Sequence, residues 1–433
     1  MTGILRGIQP RHISTNQKED RTMKKLMAIL LAALILALPM TAMAEQVTLT
    51  MGSWRTDDAD QVSALLAKYE EISGVKIEFT PTTSTQYNAT LRLQLDNGTG
   101  PDLFYSRSYA TGEELYNAGF NIVCNDIPGV MENFSDSARD PWTAEDGNVF
   151  AVPFAAVSQV IYYNKTIFAE AGITELPTTW DEFIGVCQTL KDAGYTPLAN
   201  GIASNWDILE CVLLGMIPNY IPFEERAAYE TGEKKLNDET WVQIYTDFAK
   251  LVPYLPEGFE SVDNDNANIM LGLGRAAMLI DGSWSCGTLN NKEEYPDLDL
   301  GFFAFPAPEG NAAGICLHPD MGIAGNAATA HPDEVKAFLE WLASAEGAQI
   351  TADYLPGGFL PMISTGVTFQ DDTIAALNDL NEGKNADARF IWANMMDLYT
   401  PMVEQLNAIC RGETTPEEAA DAINALWEEA LAA

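Results

Sequence analysis

The sequence predicts an α/β fold. Patterns of strands and helices alternate over residues 47–105, and a further succession of strands and helices fills residues 149–194. Such alternation is typical of βαβ units, in which the strands pair in parallel and the crossover is right-handed. Sheets of this kind bind ligands beyond the carboxyl ends of their strands, so functional residues are expected there.

The first βαβ unit begins with a strand at residues 47–51, where apolar and polar side chains alternate. A helix is predicted next, with Thr56 or Asp57 as its N-cap and Gly74 at its end. The alternation returns at residues 75–79, which predicts the second strand of the unit. These two strands are expected to be parallel neighbours.

A second unit follows directly. Residues 85–96 are predicted to be helical and to end at Asn97 and Gly98, and residues 101–105 predict a short strand. Because this strand ends at Tyr105, its carboxyl end is expected to lie near that of the first strand.

The middle of the chain is organised around a bent strand. One apolar run breaks at Pro153, and a second runs from Val157 to Tyr163. This pattern predicts two strands with a bend between them. Asn164 and Lys165 then open a helix.

The next helix begins with a capping box. Thr179 and Glu182 stand three residues apart, so the Thr179 hydroxyl accepts from the first turn while Glu182 reaches back. Apolar residues recur behind them at helical spacing, and Gly194 ends the pattern.

The remaining elements are predicted from the same patterns. Strands are predicted at residues 276–280, 300–305 and 318–324. Helices are predicted at residues 208–216, 241–252 and 332–350, and the tail from residue 371 to residue 433 is predicted to be helical.

Four stretches of the sequence, taken as a set, resemble one protein family. Residues 100–120 read GPDLFYSRSYATGEELYNAGF, and residues 149–201 contain the series VPF, YYNK, FAEAGI, PTTWDEF and LKDAGYTPLANG. Residues 275–284 read RAAMLIDGSW, and residues 357–361 read GGFLP. The set resembles the extracellular solute-binding proteins of ABC importers, in the sugar-binding group related to maltose-binding protein.

The resemblance implies a type II periplasmic-binding-protein-like fold, with two lobes, three crossings between them and a central ligand cleft. The first crossing would lie at Pro153 and Phe154, and the third at residues 357–367. Lobe I would comprise residues 45–153 and 306–361, and lobe II residues 154–305 and 362–433.

A sugar site requires aromatic rings that stack on the apolar face of a pyranose, and charged or amide groups that satisfy its hydroxyls. The candidate ligand-binding residues lie at strand ends or in loops, or are implied by the resemblance: Trp54, Arg55, Tyr105, Arg107, Phe154, Trp206, Asp281, Trp284, Asp320 and Tyr354. Trp284 matches the position where the family carries an aromatic residue into the sugar site. Core packing is the alternative for Trp54, Trp206 and Trp284, and the other six tryptophans are predicted to be structural.

The N-terminus predicts export. Residues 23–44 have two lysines, an apolar run from Leu26 to Leu38 and small residues up to Ala44, which is typical of a signal peptide cleaved after Ala44. The run is shorter than the roughly 20 residues of a membrane span. Residues 1–22 are interpreted as an upstream extension. The cleavage site lacks the lipobox cysteine of many relatives, so lipid anchoring stays open.

The formal charge of −38 argues against partners that are themselves strongly anionic, although Arg55 or Arg107 could override this locally. A surface this acidic repels nucleic acid and anionic lipid. We therefore expect no nucleic-acid partner and a monomer that remains soluble through its charge.

Motifs for metals, cofactors and catalysis are missing from the sequence. The six cysteines include no C-x-x-C pair, so buried thiols are expected at Cys187 and Cys211, although a disulfide formed after export stays open. No phosphate-binding loop or nucleophile elbow is present, and no cofactor is predicted. Residues 263–266 resemble the start of a calcium loop but lack its later ligands, which predicts a surface loop.

The function implied is that of an exported, non-enzymatic receptor that delivers a carbohydrate to the membrane permease of an ABC importer, in the periplasm or at the cell surface. One alternative is a secreted carbohydrate-active enzyme that uses acids among Asp281, Asp320 and Asp353. A second is the same fold acting as a sensor subunit.

Overall fold

A computed structural model describes residues 46–432, except residues 57, 356, 364–365 and 382–383. The predicted signal peptide and the candidate N-cap Asp57 lie outside the described residues. The chain from Thr48 onward forms one compact unit of α-helices and β-strands. Among the described residues, no helix is both long enough and apolar enough to cross a membrane.

The described strands are short except for two. They are β1 Thr48–Ser53, β2 Lys76–Pro81, β3 Leu103–Ser106, β4 Val152–Asn164, β5 Met278–Gly282, β6 Leu300–Phe303, β7 Gly314–Gly325, β8 Leu360–Pro361 and β9 Asn385–Asp387.

The described α-helices are α1 Ala59–Ser73, α2 Ser84–Asp96, α3 Tyr109–Asn117, α4 Asp136–Arg139, α5 Lys165–Glu170, α6 Trp180–Asp192, α7 Leu214–Met216, α8 Arg226–Glu230, α9 Glu239–Ala249, α10 Asn264–Gly272, α11 Cys286–Leu289, α12 Pro332–Leu342, α13 Ala345–Tyr354, α14 Asp372–Asp379, α15 Tyr399–Arg411 and α16 Pro416–Ala432. A π-helix, Ile208–Leu213, precedes α7. Single 3₁₀ turns include Ser283–Ser285 after β5 and Met396–Leu398 before α15.

The strands join in the order β2-β1-β3-β7-β4-β5, while β6 and β8 pair with β4 and β9 pairs with β7. Strand β1 is parallel to both β2 and β3. The two predicted βαβ units are therefore confirmed, and the carboxyl ends of β1 and β3 lie side by side.

Strand β4 connects two groups of strands. Its first half pairs antiparallel with β7, and its second half pairs antiparallel with β5 and β6. The sequence prediction of two strands separated at Pro153 is wrong, because β4 is continuous there. The proline is absorbed by irregular pairing with β7 between Pro153 and Ala156, as edge positions and bulges permit.

Both faces of the β4–β5 pair are buried. Ile161 and Ile280 belong to one hydrophobic cluster, and Val160 and Leu279 belong to another. Alternate residues of a strand point to opposite faces, so helices cover this part of the sheet on both sides. Burial of this kind fixes the position of the residues that leave β5 at its carboxyl end.

The predicted helix starts after β4 are confirmed. Asn164 Oδ1 accepts from the amides of Thr166 at 3.0 Å and Ile167 at 3.3 Å. In the capping box, the Glu182 amide donates to Thr179 Oγ1 at 3.3 Å, and the Thr179 amide donates to Glu182 Oε2 at 3.1 Å. These bonds satisfy amides that a helix start leaves unpaired.

Three predictions for the second half of the chain are wrong. The single helix over residues 332–350 is two helices, α12 and α13, because Ser344 caps a new start by accepting from the Gly347 amide at 3.0 Å. The surface loop at residues 263–266 is the start of α10, with Asp263 as its N-cap. The tail also contains a strand, β9, which pairs in parallel with β7.

All six cysteines lie among the described residues as buried thiols. Burial raises the thiol pKa of Cys187 and Cys211. The expectation of buried free thiols at these two positions is confirmed, and such thiols are unreactive where no positive charge lowers their pKa.

Candidate functional site

One group of aromatic rings lies at the carboxyl ends of β1 and β3. Trp54 directly follows β1, and its ring centroid lies 5.6 Å from that of Tyr87 and 5.4 Å from that of Tyr105. Phe154 of β4 adds a ring 5.9 Å from Tyr105. We call Trp54, Tyr87, Tyr105 and Phe154 the N-terminal aromatic group.

Two arginines border this group. Arg107 directly follows β3, and its guanidinium carbon lies 3.6 Å from the centroid of the Trp54 ring, a cation–π contact. Arg55 donates to Asp58 Oδ2 at 2.6 Å and lies over the Phe359 ring at 4.6 Å. The border of the N-terminal aromatic group therefore carries hydrogen-bond donors.

A second aromatic group is formed by Trp206 and Trp284, which we call the tryptophan pair. Their centroids are 6.0 Å apart, with the ring planes at 65°. Trp284 leaves the end of β5, and its ring folds back over Gly282, where an added Cβ would lie 2.0 Å from a ring carbon. Both rings are partly exposed, so they are available for contact with a ligand.

A buried ion pair supports the tryptophan pair. Arg389 Nη1 lies 2.6 Å from Glu210 Oε2, and Tyr399 donates to the other oxygen of Glu210. The Arg389 guanidinium carbon lies 5.8 Å from the Trp284 ring and 5.4 Å from the Trp392 ring. Glu210 thus holds Arg389 in place beside the Trp284 ring.

Strand β7 contributes a histidine and a carboxylate. The His318 ring lies 4.9 Å from the Trp392 ring, and His318 Nε2 lies 3.9 Å from Asp320 Oδ1. Burial lowers the pKa of His318 well below its ordinary value, and the positive charges of Arg389 and Arg107 lower it further. His318 is therefore neutral at physiological pH.

This lowered pKa gives a testable dependence of stability on pH. Below about pH 6.5 the unfolded chain binds a proton at His318 that the folded chain does not, so stability is lost as the pH falls. The free energy of unfolding should drop by up to about 1.4 kcal/mol per pH unit from this one group. Denaturant unfolding of His318→Gln between pH 7 and pH 5 should show a flatter dependence than the natural protein. His331→Gln is the control and should leave the slope unchanged, whereas equal slopes for His318→Gln and the natural protein would contradict the assignment.

Electrostatics connects the two aromatic groups. Burial lowers the pKa of Arg107, and the negative charges of Asp320 and Glu210 oppose that effect. Asp320 on β7 and Glu210 on the π-helix therefore attract the charge of Arg107, which lies against Trp54. The arrangement places aromatic faces, arginines and carboxylates around one region, as recognition of a polyhydroxylated ligand requires.

The structure brings most of the predicted site residues into these two groups. The N-terminal aromatic group and its border hold Trp54, Arg55, Tyr105, Arg107 and Phe154. The region of the tryptophan pair holds Trp206, Trp284 and Asp320. Trp54 is only 6% exposed, so its ring is largely covered by its neighbours.

Two predicted residues lie elsewhere. Asp281 is completely buried and accepts from Ser285, Asn268, Cys211 and its neighbouring amide, so its bonds are made within the protein. Tyr354 ends α13, and within the described part of the chain no hydrogen bond or ring contact joins it to either aromatic group.

Sequence reasoning missed five residues of the site: Tyr87, Glu210, His318, Arg389 and Trp392. Their partners are distant in sequence, and Glu210 and Arg389 are separated by 179 positions. One local signal was available, because Arg389 stands among the apolar residues Ala388, Phe390 and Ile391 in a chain with only 24 Lys and Arg residues. A basic residue inside an apolar run is seldom buried without a partner.

Comparison with solved structures identifies the fold. The chain matches a chitin oligosaccharide binding protein with a TM-score of 0.76, over 90% of this chain and 100% of that chain, at 22% sequence identity. The fold is therefore that of a type II solute-binding protein, with two lobes and a central cleft, and the predicted fold class is confirmed.

Curated relatives are also binding proteins by name. The multiple sugar-binding protein of Streptococcus mutans serotype c is 26% identical over 259 residues, which are 56% of this chain and 58% of that protein. The chain thus matches little more than half the length of this relative. The diacetylchitobiose binding protein DasA of Streptomyces coelicolor is 23% identical over 394 residues, or 89% of this chain and 90% of that protein.

Residues 53–349 match the family described as bacterial extracellular solute-binding protein. The match covers more than half of the chain, and the chain belongs to this family. The resemblance seen in the sequence is confirmed. Since the family is one of binding proteins, membership supports a receptor and gives no support to the glycosidase alternative.

Proposed function

We propose that the protein is the exported receptor of a carbohydrate ABC importer. It binds a sugar or oligosaccharide between the N-terminal aromatic group and the tryptophan pair, and it delivers the ligand to a membrane permease. The observation that carries this proposal is the partly exposed pair Trp206 and Trp284 beside the Arg389–Glu210 ion pair.

The chemistry of this pair suits a pyranose. An indole ring stacks on the apolar face of the sugar, and neighbouring arginine and carboxylate groups bind its hydroxyls. The relatives are named for binding multiple sugars, diacetylchitobiose or chitin oligosaccharides, and these names support the same ligand class.

Ligand capture would couple the two lobes. We place lobe I at residues 45–153 and 306–361 and lobe II at residues 154–305 and 362–433, with β4 as one of the connections. A ligand that contacts both lobes stabilises the closed arrangement, because only that arrangement makes both sets of contacts. The permease would recognise the closed, monomeric receptor.

A binding screen tests the proposal. The purified exported protein is titrated with mono- and oligosaccharides while tryptophan fluorescence and thermal unfolding are recorded. We expect saturable binding, a raised melting temperature and unchanged ligand by chromatography. Product formation would instead support the enzyme class, and a panel without any response would contradict a sugar receptor.

Export itself is tested by the mature N-terminus. Mass spectrometry of the protein recovered outside the cytoplasm should show a chain that begins at Glu45, since cleavage is proposed after Ala44. A chain that retains residues 23–44 would contradict this cleavage site.

A further inference from the structure

Three buried side chains lie together, and two of them are close in sequence to the tryptophan pair. Asp207, Cys211 and Asp281 are all completely buried. One carboxylate oxygen from each aspartate and the Cys211 sulfur lie within 4.8 Å of one another. Sequence patterns do not reveal this cluster, because Asp281 lies 70 residues beyond Cys211.

Asp207 is the unusual member of the cluster. Within the described part of the chain, neither of its carboxylate oxygens has a hydrogen-bond partner, although both are buried. A buried carboxylate without a partner is costly, since water no longer solvates its charge. The two Asp207 oxygens are therefore available as ligands for a bound cation.

The spacing of the three side chains is compatible with one shared ion. The Asp207 and Asp281 ligand oxygens and the Cys211 sulfur all lie within 4.8 Å of one another. Tetrahedral ligands held about 2.0–2.3 Å from one zinc ion lie about 3.3–3.8 Å apart, which is inside this limit.

We propose that Asp207, Cys211 and Asp281 bind a structural zinc ion. Carboxylate oxygens and a cysteine sulfur are zinc ligands, whereas calcium takes oxygen ligands alone. Asn268, whose Nδ2 donates to Asp281 Oδ2 at 3.1 Å, also carries a buried oxygen, Oδ1, without a hydrogen-bond partner in the described structure. This oxygen is a candidate fourth ligand, which would complete a closed tetrahedral site.

Zinc binding would release a proton. The Cys211 thiol donates to Asp281 Oδ1 at 3.4 Å, and burial with the two carboxylate charges raises its pKa. Coordination replaces the S–H bond with a sulfur–zinc bond, and the proton passes to solvent. The two positive charges of the ion offset most of the three negative charges of the thiolate and the two carboxylates.

The site would hold the tryptophan pair in place. Asp207 directly follows Trp206, and Asp281 precedes Trp284 by three residues. One ion bound by both aspartates would therefore fix the two segments relative to each other. Supporting contacts behind a binding site orient the side chains that touch the ligand in the same way. This consequence for sugar binding rests on the proposed function, whereas the ion itself does not.

The test uses the purified protein without any sugar. The protein is unfolded in a chemical denaturant that contains EDTA, which removes bound metal. It is then refolded either with zinc chloride or with EDTA alone, and its metal content and thermal unfolding are measured. We expect one zinc per chain and a melting temperature raised by about 5 °C or more, since a ligand of the folded state stabilises it. Cys211→Ser and Asp207→Asn should lose both effects. Cys187→Ser, a buried thiol elsewhere, and Asp265→Asn, an exposed carboxylate on α10, should keep them.

Cobalt keeps the test decisive if a variant fails to fold. Cobalt in place of zinc should show thiolate-to-metal charge-transfer absorption in the natural protein. Bound cobalt without this absorption would overturn a cysteine-ligated site. No retained zinc, with equal melting temperatures in zinc and EDTA, would overturn the ion altogether, and stabilisation by calcium alone would overturn zinc as its identity. None of these outcomes depends on whether the protein binds sugar.

Discussion

Replacing Trp284 by alanine is expected to weaken sugar binding about 30-fold, or about 2 kcal/mol, as truncation of a central aromatic contact does. Trp284 presents a partly exposed ring that packs on Trp206 and lies beside Arg389. Its removal deletes the surface on which the sugar would stack. Calorimetric titration of the natural protein and the variant, with the best ligand of the panel, measures the loss.

The control for this variant is Trp284→Phe, which keeps an aromatic face and should recover most of the affinity. Thermal unfolding of both variants separates a binding defect from a folding defect. Equal affinities of Trp284→Ala and the natural protein would show that the tryptophan pair is structural, which was the alternative recognised in the sequence.

Replacing Arg226 by methionine is expected to lower the free energy of unfolding by about 3–5 kcal/mol, as removing one partner of a buried ion pair does. Arg226 Nη1 lies 2.7 Å from Asp387 Oδ1, and Nη2 donates to the Phe390 carbonyl at 2.9 Å. The substitution leaves Asp387 buried without its counterion and releases the segment that carries Arg389. Denaturant unfolding measures the change.

An exposed ion pair provides the matched control. Arg92 Nε lies 3.1 Å from Asp96 Oδ2, with side chains 46% and 49% exposed. Arg92→Met should cost less than about 1 kcal/mol, because solvent screens such pairs. A similar loss of stability in both variants would contradict a special role for the buried pair.

Local patterns predicted the elements that depend on neighbouring residues. The capping box at Thr179 and Glu182, the helix start at Asn164 and the parallel strands of the first two units all have their determinants within a few residues or in one periodic run. The position of Trp54 at a strand end likewise followed from the βαβ pattern.

The errors arose where the determinant is distant or weak. Strand β9 has three residues, too few for a periodic signal, and it forms by pairing with residues of β7 that lie 71 positions earlier. The division between α12 and α13 depends on one capping serine inside a run of good helix formers. The pair Glu210 and Arg389 meets only through the tertiary fold, so no spacing rule could have joined these residues.

A crystal structure of the protein with its best sugar ligand tests the central claim most directly. The account predicts a sugar ring stacked on Trp284, with further contacts from Arg107 or the rings beside it, so that both aromatic groups contribute. A sugar bound against one group alone, or at another place on the protein, would contradict it.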